Sequence, residues 1–183
     1  MKKIVYLHGF SSAGSTGTAT NLRNHLYADY GVTVVSPDIP VSPAEAVLFI
    51  KKVIEEENPD LIIGTSMGGM YTELQHGHLR ICVNPSFHMA RLLTFKHLGK
   101  NVEFQNKRAD GQKQFKVDKK MVAEFKEIET KLTLKNITPK TRSSSGVYLA
   151  RTTRQSTARR NSRRHTATST SASLKVSIPS PMP

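Results

Sequence analysis

The sequence has a single cysteine, no tryptophan and no long uninterrupted apolar run. One cysteine cannot form an intramolecular disulfide, so we expect a protein of a reducing compartment, by default the cytoplasm. The basic pair Lys2–Lys3 precedes an apolar run, as in a signal peptide, but Ile4–Leu7 is too short for the apolar core of one. No segment approaches the length that crosses a bilayer, so we expect no membrane partner.

Acidic residues are missing from the last part of the chain. Eleven of the 27 Lys/Arg residues but none of the 14 Asp/Glu residues follow Glu129, so most of the net charge of +13 belongs to that part. The composition changes near Thr141, beyond which Ser, Thr, Arg and Pro dominate. We therefore predict one folded domain over residues 1–140 and a basic, disordered tail over residues 141–183.

The basic charge of this tail raises the question of nucleic-acid binding. The stretch Arg151–Arg164 offers cations that can contact phosphates without sequence preference. It has no interleaved aromatic residues, and the chain shows no fold signature of a nucleic-acid-binding module. We interpret the stretch as part of a solvated tail, and nucleic acid is the least favoured partner.

Short apolar runs alternate with amphipathic stretches in the first half of the chain. This alternation predicts an α/β fold, with a mostly parallel sheet and helices on both faces. The predicted strands are Ile4–Leu7, Val32–Val35, Leu61–Ile63 and Ile81–Val83, and the predicted helices are Thr18–Tyr30 and about Pro43–Glu57. Residues 86–135 are expected to be mostly helix or loop, with one clear helix near Lys119–Leu132. Gly146–Ala150 is the only strand-like run after them.

The third predicted strand leads directly into a glycine-rich turn. Residues 64–68 read Gly-Thr-Ser-Met-Gly, which fits G-x-S-x-G with a strand before it and a helix after it. Such a turn lifts the Ser66 hydroxyl above the sheet, and larger side chains at Gly64 and Gly68 would collide. Gly69 lets the following helix pack close to the strands. An ordinary strand-to-helix connection remains the alternative, but we favour Ser66 as a catalytic nucleophile.

A second element of the predicted site follows the first strand, at His8-Gly9-Phe10. A serine that carries out acyl transfer needs two hydrogen-bond donors for the oxyanion that develops during attack. The amide of the residue after the nucleophile, Met67, is one expected donor, and the amide of Phe10 is the other. We expect His8 and Gly9 to shape this loop, and we do not favour His8 as a proton carrier.

The same loop admits a rival interpretation as a phosphate-binding loop. Gly9–Thr16 nearly fits G-x-x-x-x-G-K-[ST], and it lies between a strand and a helix. Ser15 replaces the lysine that would reach the phosphates of a nucleotide. We therefore do not favour nucleotide binding.

The other candidate site residues carry weaker signals. His76 and His78 are two residues apart, which is a poor spacing for one helical face, and we predict no metal site. His88 follows the fourth strand and is a candidate for the wall of a substrate pocket, although a packing or surface role is favoured. Asp110 lies in an Ala-Asp-Gly turn signal and is a weak candidate for a catalytic acid.

Three separated segments resemble one known family in order and spacing. Met1–Ser12, Asp60–Met70 and Arg80–Leu93 resemble the YqiA-like small bacterial esterases of the α/β-hydrolase superfamily, and the likeness extends over residues 1 to about 139. The resemblance implies a cytoplasmic carboxylesterase that acts on simple acyl esters or thioesters. It implies Ser66 as nucleophile, the loop from His8 to Phe10 on the oxyanion side, and neither metal nor cofactor.

The end of the chain departs from this family. In such enzymes the acid and the histidine of the catalytic triad come late in the chain. No acidic residue follows Gly146–Ala150, and His165 is the only later histidine, which makes it a very weak candidate base. The sequence therefore leaves three functions open. The favoured one is a serine carboxylesterase whose activity suffers from the missing triad members, and the second is an inactive hydrolase-fold protein that binds a ligand or partner. The least favoured is a nucleic-acid-associated protein with a basic tail.

Overall fold

The computed structural model describes residues 1–136 and 147–150, and the side chains of residues 1–133. Strands and helices alternate through the first four strands, as the sequence predicts. The elements are β1 (Lys3–Leu7), α1 (Gly17–Tyr30), β2 (Thr33–Val35), α2 (Pro43–Glu57), β3 (Leu61–Thr65), α3 (Met67–Glu73), β4 (Arg80–Val83), α4 (Met89–Lys96), β5 (Asn101–Glu103), β6 (Gln114–Lys116), α5 (Lys119–Asn136) and β7 (Val147–Ala150).

Five strands form one sheet in the order β2-β1-β3-β4-β7, and every neighbouring pair is parallel. In a parallel sheet the carboxyl ends of the strands share one edge, which is where ligands bind in open α/β sheets. The loops after β1, β2, β3 and β4 therefore meet at that edge. The predicted α/β fold class with a mostly parallel sheet is confirmed.

Helices cover both faces of the sheet, also as predicted. Side chains alternate along β1: Val5 and Leu7 pack on the face that α2, α3, α4 and α5 cover, whereas Ile4 and Tyr6 pack on the face of α1. Local signals set the limits of the helices. Gly31 ends α1 at a positive φ of 64°, where a glycine has no steric penalty.

The second sheet was not expected from the sequence. β5 and β6 form an antiparallel hairpin in which Val102 pairs with Phe115. Each strand has three residues with a single apolar one between polar neighbours, so no periodicity indicates a strand. Residues 86–135 are mostly helix and loop, as predicted, but these two strands were not foreseen. Residues 104–113 connect the two strands and are called the hairpin loop below.

The predicted boundary near residue 140 falls between α5 and β7. Within the segment that follows this boundary the structure describes β7 alone, where Val147 pairs with Arg80 and Ala150 with Val83 of β4. The predicted division into a domain and a tail therefore stays a prediction. Among the helices that the structure describes, none is both long and apolar enough to cross a membrane.

Candidate active site

Ser66 lies on a strained turn between β3 and α3. Its backbone has φ 56° and ψ −117°, a conformation that is rare for a residue with a side chain. Two backbone hydrogen bonds of 3.0 Å stabilise the turn: the Ser66 N–H donates to the Val83 carbonyl, and the Ser66 carbonyl accepts from the Ser86 N–H. The side chain is half-buried and does not cap the helix. The hydroxyl is therefore presented at the carboxyl edge of the sheet.

The glycines on either side of Ser66 meet backbone at very short range. A Cβ at Gly68 would overlap the carbonyl oxygen of Leu7, at the end of β1. A Cβ at Gly64 would overlap the Gly68 carbonyl oxygen and the Thr72 hydroxyl. These contacts agree with the steric reason for which the sequence analysis singled out both positions.

The loop after β1 lies directly against Ser66. A Cβ added at Gly9 would be 3.5 Å from the Ser66 Cβ and 4.0 Å from its Oγ. In the part of the chain that the structure describes, the amides of Phe10 and Met67 donate to no protein acceptor. Both predicted oxyanion donors are therefore uncommitted among the described residues, and Ser66 lies next to the loop that carries one of them.

His8 is buried and uses both ring nitrogens. Nε2 accepts a hydrogen bond of 3.0 Å from the Ile39 N–H, so this nitrogen carries no proton. Nδ1 donates to the Gly9 carbonyl at 2.9 Å. Burial lowers the pKa of His8 below its ordinary value of 6.5, because the charged ring would lose its hydration. We therefore propose that a neutral His8 joins the loops after β1 and β2 and does not serve as the base for Ser66.

This arrangement predicts a pH-dependent stability. The pKa of His8 is lower in the folded than in the unfolded chain, so the unfolded chain binds more protons below about pH 6.5. We expect the free energy of unfolding to fall as the pH drops from about 7 to about 5, above the range in which carboxylates titrate. Urea unfolding of the wild type and of His8→Gln measures this, and the variant should show a shallower slope. Equal slopes would contradict the prediction.

Asp110 has a different partner from the one that a triad requires. The single N–H of Arg108 Nε is shared between both carboxylate oxygens of Asp110, each 3.1 Å away, and Arg108 Nη2 donates to Oδ2 at 2.8 Å. The hydrogen bonds from Arg108 hold the pKa of Asp110 below its ordinary value. Arg108 is itself buried and donates to the Ile39 carbonyl at 3.0 Å. Asp110 therefore compensates a buried guanidinium, which does not support it as the catalytic acid.

The two remaining histidine candidates stay predictions. His88 is exposed and comes immediately before α4, in the loop after β4 and hence at the same sheet edge as Ser66. His165 is outside the residues that the structure describes. Within those residues the Ser66 hydroxyl has no hydrogen bond to a base. The described part of the chain also holds no cluster of three or more His, Cys, Asp or Glu residues that suits a metal ion.

Gly14 explains why the loop after β1 resembles a phosphate-binding loop. Its amide donates to Asp38 Oδ1 at 2.7 Å, so a carboxylate already occupies a position where a phosphate would bind. A Cβ at Gly14 would overlap the Ser36 carbonyl oxygen. The glycine is therefore needed for close packing against the loop after β2, and nucleotide binding gains no support.

A cavity of about 980 Å³ opens beside the loop after β2. Charged residues of both signs line it, including Arg23, Asp38 and Lys107, but Ser66 does not. Because the hydroxyl is not on its wall, this cavity is not the place where Ser66 would meet a substrate.

The contacts between the hairpin loop and the loop after β1 were not predicted from the sequence. The hairpin loop crosses the loop after β1, where Gln105 bonds to Ser11 and Asn106 accepts a hydrogen bond of 2.9 Å from the Ser12 hydroxyl. Each partner is separated from the other by 94 residues in sequence. No local sequence pattern predicts a contact between residues so far apart.

The parallel sheet, the serine on a strained turn after its central strand and the loop beside it define the α/β-hydrolase fold. Within that fold, the chain belongs to the uncharacterised protein family UPF0227, whose sequence pattern matches residues 3–162. This match confirms the resemblance to the YqiA-like esterases. The family match ends at residue 162, whereas the resemblance seen in the sequence ends at about residue 139.

The fold is also similar to that of a solved lipase. The crystal structure of Paleococcus ferrophilus monoacylglycerol lipase superposes with a TM-score of 0.53, at 17% sequence identity. The match covers 80% of this chain and 71% of the lipase. At this identity the likeness establishes the fold alone.

Proposed function

We propose that this protein is a serine hydrolase of the cytoplasm that hydrolyses simple acyl esters or thioesters through an acyl-Ser66 intermediate. One observation carries the proposal. The Ser66 hydroxyl lies at the sheet edge on a strained turn with Gly9 packed against it, and no described residue accepts a hydrogen bond from the amides of Phe10 and Met67. Membership of a family that resembles small esterases and the lipase-like fold support the same reaction class.

Each part of the site has a role in the proposed reaction. The Ser66 Oγ attacks the carbonyl carbon of the substrate, and the carbonyl oxygen becomes an oxyanion that accepts hydrogen bonds from Phe10 N–H and Met67 N–H. The loss of one such donor typically removes about 3–4 kcal/mol of transition-state stabilisation. The general base takes the proton from Ser66 during attack and passes it to the alcohol or thiol, which leaves as the tetrahedral intermediate collapses. Water then attacks the acyl-Ser66 ester, gives a proton back to Ser66 through the base, and releases the acid.

The surroundings of the oxyanion loop favour an apolar acyl group. The ring of Phe10 packs edge-on against Phe115, with centroids 5.4 Å apart, and lies 5.7 Å from the ring of His97. Phe104 extends this aromatic cluster, at 4.9 Å from Phe115. The loop that would hold the oxyanion therefore has apolar neighbours, of which Phe10 and Phe104 are partly buried and Phe115 is buried.

No described residue is assigned as the general base of this mechanism. A serine hydroxyl is a weak nucleophile and requires a general base within hydrogen-bond reach. Both nitrogens of His8 are occupied, and among the described residues no other histidine bonds to Ser66. This observation supports a second candidate function, a hydrolase-fold protein that binds an acyl ligand without turning it over. His165 stays the only candidate base that follows the described strands.

An activated serine can be detected without knowledge of the substrate. We expect a fluorophosphonate probe to label the wild-type chain on Ser66, as located by peptide mass spectrometry, because phosphonylation requires a nucleophilic hydroxyl and an oxyanion site. Ser66→Ala should remain unlabelled.

The matched control for this labelling is Ser42→Ala. Ser42 caps the start of α2, where its hydroxyl accepts from the Glu45 N–H, and it is not part of the proposed site. The control should be labelled like the wild type. A wild-type chain that stays unlabelled, or is labelled at another residue, contradicts the proposed hydrolase. In that case, saturable binding of a non-hydrolysable acyl ketone would favour the second candidate.

A further inference from the structure

The proposed oxyanion loop contains a turn that is strained at one residue. The Ser12 N–H donates to the Gly9 carbonyl over 3.3 Å, which closes a turn with Phe10 and Ser11 at its centre. Ser11 has a φ of +54°, as the third residue of a type II turn requires, and glycine or asparagine is preferred there. The turn therefore places a conformationally unfavourable residue next to Phe10, with one long hydrogen bond to hold it.

Two further hydrogen bonds to Ser11 come from a distant part of the chain. The Gln105 N–H donates to the Ser11 carbonyl at 2.8 Å, and Gln105 Nε2 donates to the Ser11 hydroxyl at 3.2 Å. Ser11 is only 9% exposed, so neither group is freely solvated. Gln105 thus binds both the carbonyl and the hydroxyl of Ser11.

We propose that Gln105 is a positioning residue for the oxyanion loop, an inference that rests on the proposed function. By holding Ser11 at a positive φ, Gln105 keeps the turn from Gly9 to Ser12 closed. The closed turn then orients the Phe10 amide toward the carbonyl group of the substrate. Gln105 itself does not touch the substrate.

The hairpin loop has other attachments, so the loss of the Gln105 side chain leaves it in place. The Ser15 hydroxyl donates to the Lys107 carbonyl at 2.6 Å, and the Ala109 N–H donates to Asp38 Oδ2 at 2.6 Å. The backbone hydrogen bond of Gln105 also survives a change of side chain. A Gln105 variant should therefore fold, and its effect should be confined to Ser11 and the turn.

The proposal is tested with Gln105→Met in the full chain. Methionine keeps the length of the side chain but donates no hydrogen bond. We expect kcat for a p-nitrophenyl acyl ester to fall about tenfold with KM nearly unchanged, because the oxyanion forms only after the substrate is bound. We also expect the Ser12 amide to exchange with deuterium about tenfold faster, since its hydrogen bond closes the turn.

Two further variants separate positioning from a general structural role. Gln112→Met makes the same change in the same hairpin loop, at an exposed side chain that donates to the Gln114 carbonyl, and should alter neither quantity. Ser11→Gly removes both the strain, since glycine adopts a positive φ freely, and the hydroxyl that Gln105 Nε2 binds. In the Ser11→Gly background, Gln105→Met should therefore change kcat by less than about twofold.

Two results overturn the inference. One is that Gln105→Met, like Gln112→Met, changes neither kcat nor the exchange rate. The other is that Gln105→Met lowers kcat equally in the wild-type and Ser11→Gly backgrounds. If the wild type hydrolyses no ester above the level of Ser66→Ala, the proposed function is contradicted. Amide exchange at Ser12 still decides in that case whether Gln105 holds the turn, and an unchanged rate overturns the inference.

Discussion

Replacement of Gly68 by alanine is expected to destabilise the protein by more than about 3 kcal/mol, in the range of severe overpacking. The added Cβ would overlap the Leu7 carbonyl oxygen and would lie 2.6 Å from the His8 carbonyl oxygen. Both atoms belong to the backbone at the end of β1, an interior strand of the sheet, so no side chain can rotate away. The strand or α3 would have to move, and the oxyanion loop would move with the strand.

Urea unfolding followed by far-ultraviolet circular dichroism measures this effect, and other glycines serve as graded controls. A Cβ at Gly17, at the start of α1, meets nothing within 4 Å, so Gly17→Ala should leave the stability unchanged or raise it by about 0.4–1 kcal/mol. A Cβ at Gly69 would lie 3.1 Å from the Gly64 carbonyl oxygen, and an intermediate loss is expected. Similar unfolding midpoints for Gly68→Ala and Gly17→Ala would refute the steric account of this turn.

Replacement of Ser66 by alanine is expected to remove the ester hydrolysis of the purified chain, with a fall in kcat/KM of at least about 10³-fold if the wild type has a functional base. The reason is chemical, because alanine has no oxygen to form the acyl intermediate. The methyl group of alanine occupies the same space as the serine Cβ, so the turn beside Gly9 should persist. Initial rates with p-nitrophenyl acetate and butyrate, compared with buffer alone, give the measurement.

The control again changes a serine away from the site. Ser42→Ala removes the cap of α2 and should lower the free energy of unfolding by about 1 kcal/mol while kcat/KM is retained. This control separates lost stability from lost chemistry. Equal rates of ester hydrolysis by the wild type and by Ser66→Ala would show that Ser66 is not a catalytic nucleophile.

Ester hydrolysis by the wild type would also show that the chain supplies a general base for Ser66. The bond of Asp110 to Arg108 does not support it as the catalytic acid, and the occupied ring nitrogens of the buried His8 do not support it as the base. Activity that depends on both Ser66 and His165 would place the base in the part of the chain after β7. Activity that survives His165→Ala would require another base.

Much of the architecture was predictable because its causes are local. The apolar run of β1 depends on a few neighbouring residues, and the repetition of such runs along the chain predicted the sheet. The glycine at position 31 likewise ends α1 through its own backbone conformation. The turn at Ser66 belongs to the same category, since its strain depends on glycines two residues away. The pairing of β5 with β6 was not predictable, since three-residue strands with one apolar side chain carry no periodic signal.

The sequence alone therefore determined the fold class and the position of the candidate nucleophile, because periodicity and turn sterics are properties of adjacent residues. Only the tertiary structure decided which nitrogens of His8 are occupied, which carboxylate pairs with Arg108, and that Gln105 holds Ser11. These outcomes depend on burial and on contacts across as many as 94 residues, which exist only after the chain has packed.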